Sequence, residues 1–220
     1  SSHFLADTEG ANSPNRTSGH DVKTLSLATL ISSVVIYNSI GPIDENAINE
    51  LALIQHLSKN ISVNSSGAPS DDAVLSHYTP KFVWLLRDSI LEIQDEAGNL
   101  MTPAQYLENA LTDPLTFSKS STTNKKIRQT LVQLFKDRDC MYLMRPVQDE
   151  RLSLKIGSLN ENMLRPEFMQ QLNVIREKIL GKVTPKNLYG SNLNLTGFMA
   201  MVENYIEALN EGKLPNISTA

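Results

Sequence analysis

The sequence predicts an α/β domain built on a mostly parallel sheet flanked by helices. Three observations lead there. Short apolar runs, rich in β-branched and aromatic residues, occur at 33–38, 82–86 and 140–144, each with the length and composition of a buried strand. Between them lie stretches with apolar residues near helical spacing. Each run stops on a breaker or a charged pair, at Gly41-Pro42, Arg87-Asp88 and Arg145-Pro146. Strands that alternate with helices in this way argue for parallel strands joined by helical crossovers.

In chain order, Phe4-Leu5-Ala6 reads as the end of a strand, followed by a turn at Asp7-Thr8-Glu9-Gly10. Residues 11–20 are rich in Asn, Ser, Pro, Gly and Thr and read as a loop. Asp21 is placed to cap a helix running to about Ser32. Asp44 starts a helix that carries Ile48, Leu51, Ala52, Ile54 and Leu57, and residues 60–77 form a polar loop. After the Trp84 strand comes a turn at Asp95-Glu96-Ala97-Gly98. Thr102 then caps a helix through Leu111, with Pro103 at its first position. Residues 112–123 form a second Ser/Thr loop, Asn124 opens a helix through Phe135, and Cys140 opens a strand. Helices at 166–180 and 195–210 follow, with Gly212 placed as a C-terminal cap. The strand ends at Asp7, Asn38, Arg87 and Arg145 are expected to gather on one edge of the sheet.

Composition narrows the function. The 220 residues carry a formal net charge of −4 and no Lys/Arg stripe or basic tail, which argues against a nucleic-acid partner. No run reaches the ~18 apolar residues of a membrane span. The single cysteine, Cys140, excludes an internal disulfide and reads as a packed small residue. With no secretion signal at Ser1-Ser2-His3-Phe4-Leu5, a reducing, cytoplasmic setting is expected. The Asn-x-Ser/Thr triplets at Asn15, Asn60, Asn64, Asn194 and Asn216 then follow from Asn/Ser-rich loops. The four histidines show no metal-ligand spacing, and Gly-x-Ser-x-Gly is absent. Phe198, Met201, Val202, Tyr205, Ile206 and Leu209 have helical spacing and read as core.

Three short motifs bear chemistry, each with an ordinary reading beside it. Arg87-Asp88 ends the Trp84 strand, and ligands of open α/β sheets bind outside the carboxyl ends of strands. A carboxylate there accepts two hydrogen bonds side by side. Guanine offers a ring N–H and an exocyclic amine to such an acceptor; adenine does not. A strand that ends in two charges is also ordinary. Asp7-x-x-Gly10 suits a Mg²⁺ held through water and a backbone N–H close to a γ-phosphate, with Glu9 beside it to receive a hydrogen bond from an attacking water. A solvated turn would look the same. Arg145-Pro146 places a permanently charged, planar guanidinium at a nucleotide edge or a partner surface, or simply stops a strand.

Together these pieces resemble the guanylate-binding protein family of large GTPases, with the atlastins as a more distant relation. The likeness runs nearly end to end. It rests on Asp7-Thr8-Glu9-Gly10, on Leu30 to Ile43 with Val35-Ile36-Tyr37-Asn38-Ser39 at its centre, and on Phe82-Val83-Trp84-Leu85-Leu86-Arg87-Asp88. It continues through Leu100-Met101-Thr102-Pro103-Ala104-Gln105-Tyr106-Leu107, Arg145-Pro146 and the segment from Tyr205 to Pro215. The Thr-Pro…Tyr-Leu segment favours the guanylate-binding branch. The resemblance implies a dynamin-like GTPase domain, here an incomplete P-loop GTPase-like fold over 1–215, with 216–220 starting a helical region. It implies that Asp88 reads guanine with Arg87 as its partner, and that Asp7 holds Mg²⁺ through water. Gly10 would sense the γ-phosphate, and Glu9 would be the catalytic residue organising the hydrolytic water. Arg145 and Pro146 would belong to a guanine cap that packs over the base of GTP or GDP and forms a nucleotide-dependent homodimer. Asp21 falls where the family has an acidic residue after its switch loop.

The departures are specific. Ala11-Asn12-Ser13 stands where the family continues Leu-Gly-Asp, Met144 stands in place of an Asp before Arg145, and the loop between Glu9 and Asp21 is one residue short. Nowhere in the 220 residues is there Gly-x-x-x-x-Gly-Lys-Ser/Thr, the loop that cradles phosphates and supplies a Mg²⁺ hydroxyl. The family places that loop and its first switch upstream of the Asp-Thr-Glu-Gly segment. Two expectations follow: part of an active GTPase that is inactive alone, or a non-catalytic relative serving as an interaction module.

Overall fold

Three runs that are apolar on both faces need cover on both faces, and the chain supplies it with a parallel sheet between helices. The computed structural model describes residues 4–8, 18–54, 79–88, 94, 97–113, 119–188 and 191–212. Helix α1 (Ser18–Ile31) leads into β1 (Val34–Ile40), then α2 (Glu45–Glu50) with a 3₁₀ turn at Leu51–Leu53, and β2 (Lys81–Arg87). Helices α3 (Pro103–Thr112) and α4 (Thr122–Leu134) precede β3 (Arg138–Leu143). A short α5 (Glu150–Ser153) and two 3₁₀ turns follow. The last elements are α6 (Pro166–Lys182), a small antiparallel pair β4 (Asn187–Leu188) and β5 (Ser191–Asn192), and α7 (Leu195–Asn210).

The main sheet has the order β1-β2-β3 and is wholly parallel, as the alternation predicts. β2 is the central strand and the most buried. Alternation along the strands divides the core in two. Val35, Tyr37, Phe82, Trp84, Leu86, Cys140 and Tyr142 belong to a large cluster completed by α1–α4 and α7. Val34, Ile36, Val83, Leu85, Met141 and Leu143 belong to a smaller one, covered by Phe168, Ile175 and Ile179 of α6. Trp84 anchors the larger cluster: it meets Tyr37 and Phe82 edge-on, and its indole N–H donates to Ser39 Oγ at 2.8 Å. A buried indole keeps such a bond because leaving the donor unpaired is costly.

Several boundaries follow local chemistry read from the sequence. Asp44 caps α2 through Ala47 N–H. Thr102 and Gln105 close a capping box at α3, with Pro103 at the first helical position. Gly41, Gly98 and Gly212 take positive φ, as stop residues do. Cys140 is buried in β3, and burial pushes its thiol up to about 12, so it is inert packing.

Other expectations are corrected. Phe4-Leu5-Ala6 forms no strand: among the described residues none pairs with it, and Phe4 and Leu5 are 82% and 92% exposed. Three apolar residues cannot hold an extended ladder alone. Helix α1 starts at Ser18, so Asp21 lies within its first turn, where a carboxylate favours the helix dipole. Helix α4 opens at Thr122 rather than Asn124, because Ser121 caps it through Asn124 N–H, and the Asn124 side chain bonds Glu45. β3 begins at Arg138, two residues before Cys140; Arg138 is anchored there by a two-pronged pair with Glu108 at 2.8 and 3.0 Å. Of the residues expected in the last helical core, Met201, Tyr205 and Leu209 are buried and Ile206 is exposed. The loops at 11–17 and 60–77, Leu57, Asp95-Glu96 and residues 213–220 lie outside the described residues. Among the described residues no helix is long and apolar enough to cross a membrane.

Candidate nucleotide site at the carboxyl edge of the sheet

In a parallel sheet every strand delivers its carboxyl end to the same edge. Here the register aligns Ile40, Arg87 and Leu143 in one row. The chain is tied one step beyond that row. Gly41 N–H donates to Arg87 C=O at 2.9 Å, and Asp88 N–H donates to Leu143 C=O at 2.9 Å. Arg87-Asp88 is therefore held from both neighbouring strands. Asp88 takes φ +58°, among the described residues the only non-glycine with positive φ. That conformation costs of order 1 kcal/mol and persists where the surroundings impose it; Asp tolerates it better than most residues. The turn stands at the carboxyl end of the central strand.

β3 delivers the second charge. Met144 N–H donates to Gln171 Oε1 of α6 at 2.9 Å, which fixes the exit of the strand. Arg145 follows and its Nε lies 3.3 Å from Asp88 Oδ2. The pair is open to water, with side chains 54% and 26% exposed. Pro146 C=O accepts from Arg165 N–H at 2.8 Å, so the excursion at 147–164 is pinched closed at its base. Between its walls lies an open concavity of about 420 Å³ lined by Val147, Leu152, Met163, Leu164 and Pro166 among others, with neither Asp88 nor Arg145 in its lining. Leu154, Ile156 and Met163 of this excursion are exposed.

Arg87 shares its strand face with Val83 and Leu85, the face covered by α6. Its Nε is buried without a hydrogen-bond partner among the described residues. A donor in that state is costly, and here it stands one residue from the carboxylate.

The structure thus brings together Arg87, Asp88, Arg145 and Pro146. Asp7 lies in the exposed stretch 4–8 outside the sheet. Glu9 and Gly10 lie outside the described residues. No group of three or more His, Cys, Asp or Glu side chains that could hold a metal ion exists among the described residues. Sequence reasoning missed the positive φ of Asp88 and the anchoring by Gln171. The first had a signal in principle, since Asp at a strand-to-turn junction is a common occupant of that conformation. The second had none, because Gln171 is 27 residues from its partner.

Comparison with known proteins identifies the family. A family model described as the guanylate-binding protein N-terminal domain matches residues 2–188. Guanylate-binding protein 2 of Mus musculus is 33% identical over 221 residues, covering 98% of this chain and 37% of the relative. Guanylate-binding protein 1 of Homo sapiens is 30% identical over 223 residues, covering 98% and 37%, and guanylate-binding protein 6 of Homo sapiens 29% identical over 222 residues, covering 98% and 35%. The chain therefore spans little more than a third of the length of these relatives. With a family match over most of its length and a parallel α/β sheet consistent with a P-loop GTPase-like domain, the chain belongs to the guanylate-binding protein family.

Proposed function

We propose that this chain carries the base-reading edge of a GTP-hydrolysing domain of the dynamin-like class, over 1–215, with 216–220 leading into a helical region. Asp88 accepts the two adjacent donors of guanine, and Arg87 flanks the base. Arg145 and Pro146 begin a cap over it. Asp7 would hold Mg²⁺ through water, Gly10 would meet the γ-phosphate, and Glu9 would orient the hydrolytic water. The observation that carries the reading is the Arg87-Asp88 turn. A carboxylate is held in an unfavourable backbone conformation at the carboxyl end of the central strand, tied from both sides, where ligands of α/β sheets bind. The setting is taken to be cytoplasmic.

The test is base preference. Asp88→Asn exchanges one acceptor for a donor, which complements xanthine, with its N1–H and C2 carbonyl, instead of guanine. The variant should lose affinity for GDP and gain it for xanthosine diphosphate, measured by competition against a fluorescent nucleotide. Equal affinities for both bases in both proteins would remove the reading. Because the 220 residues contain no Gly-x-x-x-x-Gly-Lys-Ser/Thr, binding should be weak and hydrolysis by this chain negligible; turnover would contradict that.

A second reading is supported by the exposed Leu154, Ile156 and Met163 in the excursion that follows Arg145-Pro146. Exposed apolar side chains suit a contact between two copies. The chain would then act as a non-catalytic homodimerisation module, and sedimentation with and without GDP separates the two.

A further inference from the structure

We propose that Arg145 is a built-in competitor for the base-reading carboxylate: its guanidinium holds the acceptor side of Asp88 that a guanine edge would take. The inference rests on the reading of Asp88 given above and adds a step to it, since the base must displace a side chain of this chain before it is read.

The chemistry supports the substitution. The N1–C2–N2 unit of guanine is itself a guanidine, so its edge offers a carboxylate the same kind of N–H donors as an arginine. A carboxylate set to receive one is set to receive the other. Adenine lacks the paired donors and cannot take Arg145's place.

The geometry decides which partner moves. Asp88 is tied through its own N–H to β3, and the Arg87 carbonyl is tied to Gly41. These bonds fix the Asp88 main chain at the sheet edge, so its carboxylate has only the short reach of one Cβ–Cγ step. Arg145 lies beyond the end of β3, on a long side chain that is 54% exposed. Among the described residues its contact with Asp88 is an ion pair, Nε to Oδ2 at 3.3 Å, longer than the two-pronged Arg138–Glu108 pair at 2.8 and 3.0 Å. The guanidinium can swing into water while Met144 and Pro146 keep their bonds to α6 and Arg165.

The strength of the contact sets the size of the effect. Exposed ion pairs are weak and screened by salt, so the competitor should lower guanine affinity by about two- to fivefold. It also predicts an unusual sign. For an uncharged ligand such as guanosine, added salt weakens only the competitor, and binding to the wild-type chain should tighten as salt rises.

The experiment is a ligand-observed NMR titration of the full 220-residue chain with guanosine, with inosine (which lacks the exocyclic amine) as comparator, at low and high NaCl. Arg145→Gln should bind guanosine about two- to fivefold more tightly than wild type at low salt and lose the salt-induced gain. Arg145→Lys, which keeps the charge, should retain part of it. Equal or weaker guanosine binding by Arg145→Gln, with the salt response unchanged, overturns the competitor while a preference for guanosine over inosine leaves Asp88's role intact. No preference for guanosine over inosine in either protein removes the role of Asp88 and the competitor with it. No saturable guanosine signal in either protein up to its solubility limit also counts against the proposal.

Discussion

Arg128 and Arg145 each pair with a carboxylate, and they share little else. Arg128 Nη2 lies 2.6 Å from Glu45 Oε1, with the arginine side chain only 2% exposed. Its Nε donates to Ala110 C=O at 2.8 Å and its Nη1 to Ser120 Oγ at 2.6 Å. Glu45 also receives Asn124 and Ser120. One guanidinium thereby joins α2, α3, the turn before α4 and α4 itself. Among the described residues Arg145 makes one longer contact in water at the sheet edge. A buried charge is tolerable only when its donors are satisfied, so Arg128 cannot exchange partners. An exposed charge with one partner can. The same residue type thus serves as a fastener in one place and as an exchangeable contact in the other.

The largest effect should come from the fastener, and from its acidic side. Glu45→Ala leaves a buried guanidinium facing only neutral acceptors, and removing one partner of such a pair costs about 3–5 kcal/mol. Arg128→Met leaves Glu45, whose side chain is 47% exposed and can hydrate. Its cost should be smaller, about 1–3 kcal/mol from the polar groups left unpaired. Urea denaturation gives both; the reverse order would show that the charge is less committed than its bonds suggest.

Acid adds a second handle on the same pair. Burial works against the Glu45 charge, yet hydrogen bonds from Arg128, Asn124 and Ser120 outweigh it and hold the carboxyl below its ordinary range. A depressed folded value contributes stability above the unfolded carboxylate value of about 4.3. That contribution is lost as pH falls through the folded value. Wild type should therefore lose stability below about pH 4 more steeply than Glu45→Ala. Parallel pH profiles of the two proteins would count against it.

The two pairs also mark what a sequence discloses. The strands were legible because both faces of the sheet are covered, which writes continuous apolar runs such as 82–86, and the Thr102 box was legible because capping is local. The Arg128 network was not. Its members are 83 residues apart, and nothing near Arg128 distinguishes it from a surface arginine on an amphipathic helix. The role of Asn124 is hidden for the same reason: its side-chain partner is Glu45, 79 residues away. At the site, Arg87-Asp88 and Arg145-Pro146 stand out as motifs, and their shared edge follows from parallel strands; the contact between Asp88 and Arg145 depends on the register of β2 and β3. Phe4-Leu5-Ala6 shows the opposite error, a strand-like composition that pairs with no strand among the described residues.

At the sheet edge the effects on stability should be small and those on recognition large. Asp88→Gly removes the strain of positive φ, a gain of order 1 kcal/mol. It also adds unfolded-state entropy worth about 0.4–1 kcal/mol against it. The net change should lie within about 1 kcal/mol, while preference for guanine over xanthine is lost. A large destabilisation would mean the carboxylate is structural, and the contrast with Glu45 would collapse.

The smallest change should follow Arg145→Ala. An exposed, single-contact pair contributes about 0.2–1 kcal/mol at most, and the exit of β3 keeps its bonds through Met144 and Pro146. Its thermal midpoint should stay close to wild type, and the double variant with Asp88→Asn should be additive to within about 0.5 kcal/mol. The matching cycle on Glu45 and Arg128 should be strongly non-additive, because each single change already forfeits the shared network. Coupling at the sheet edge as large as that in the core would mean Arg145 is a fastener too, and that the edge is built to stay closed around its own ion pair.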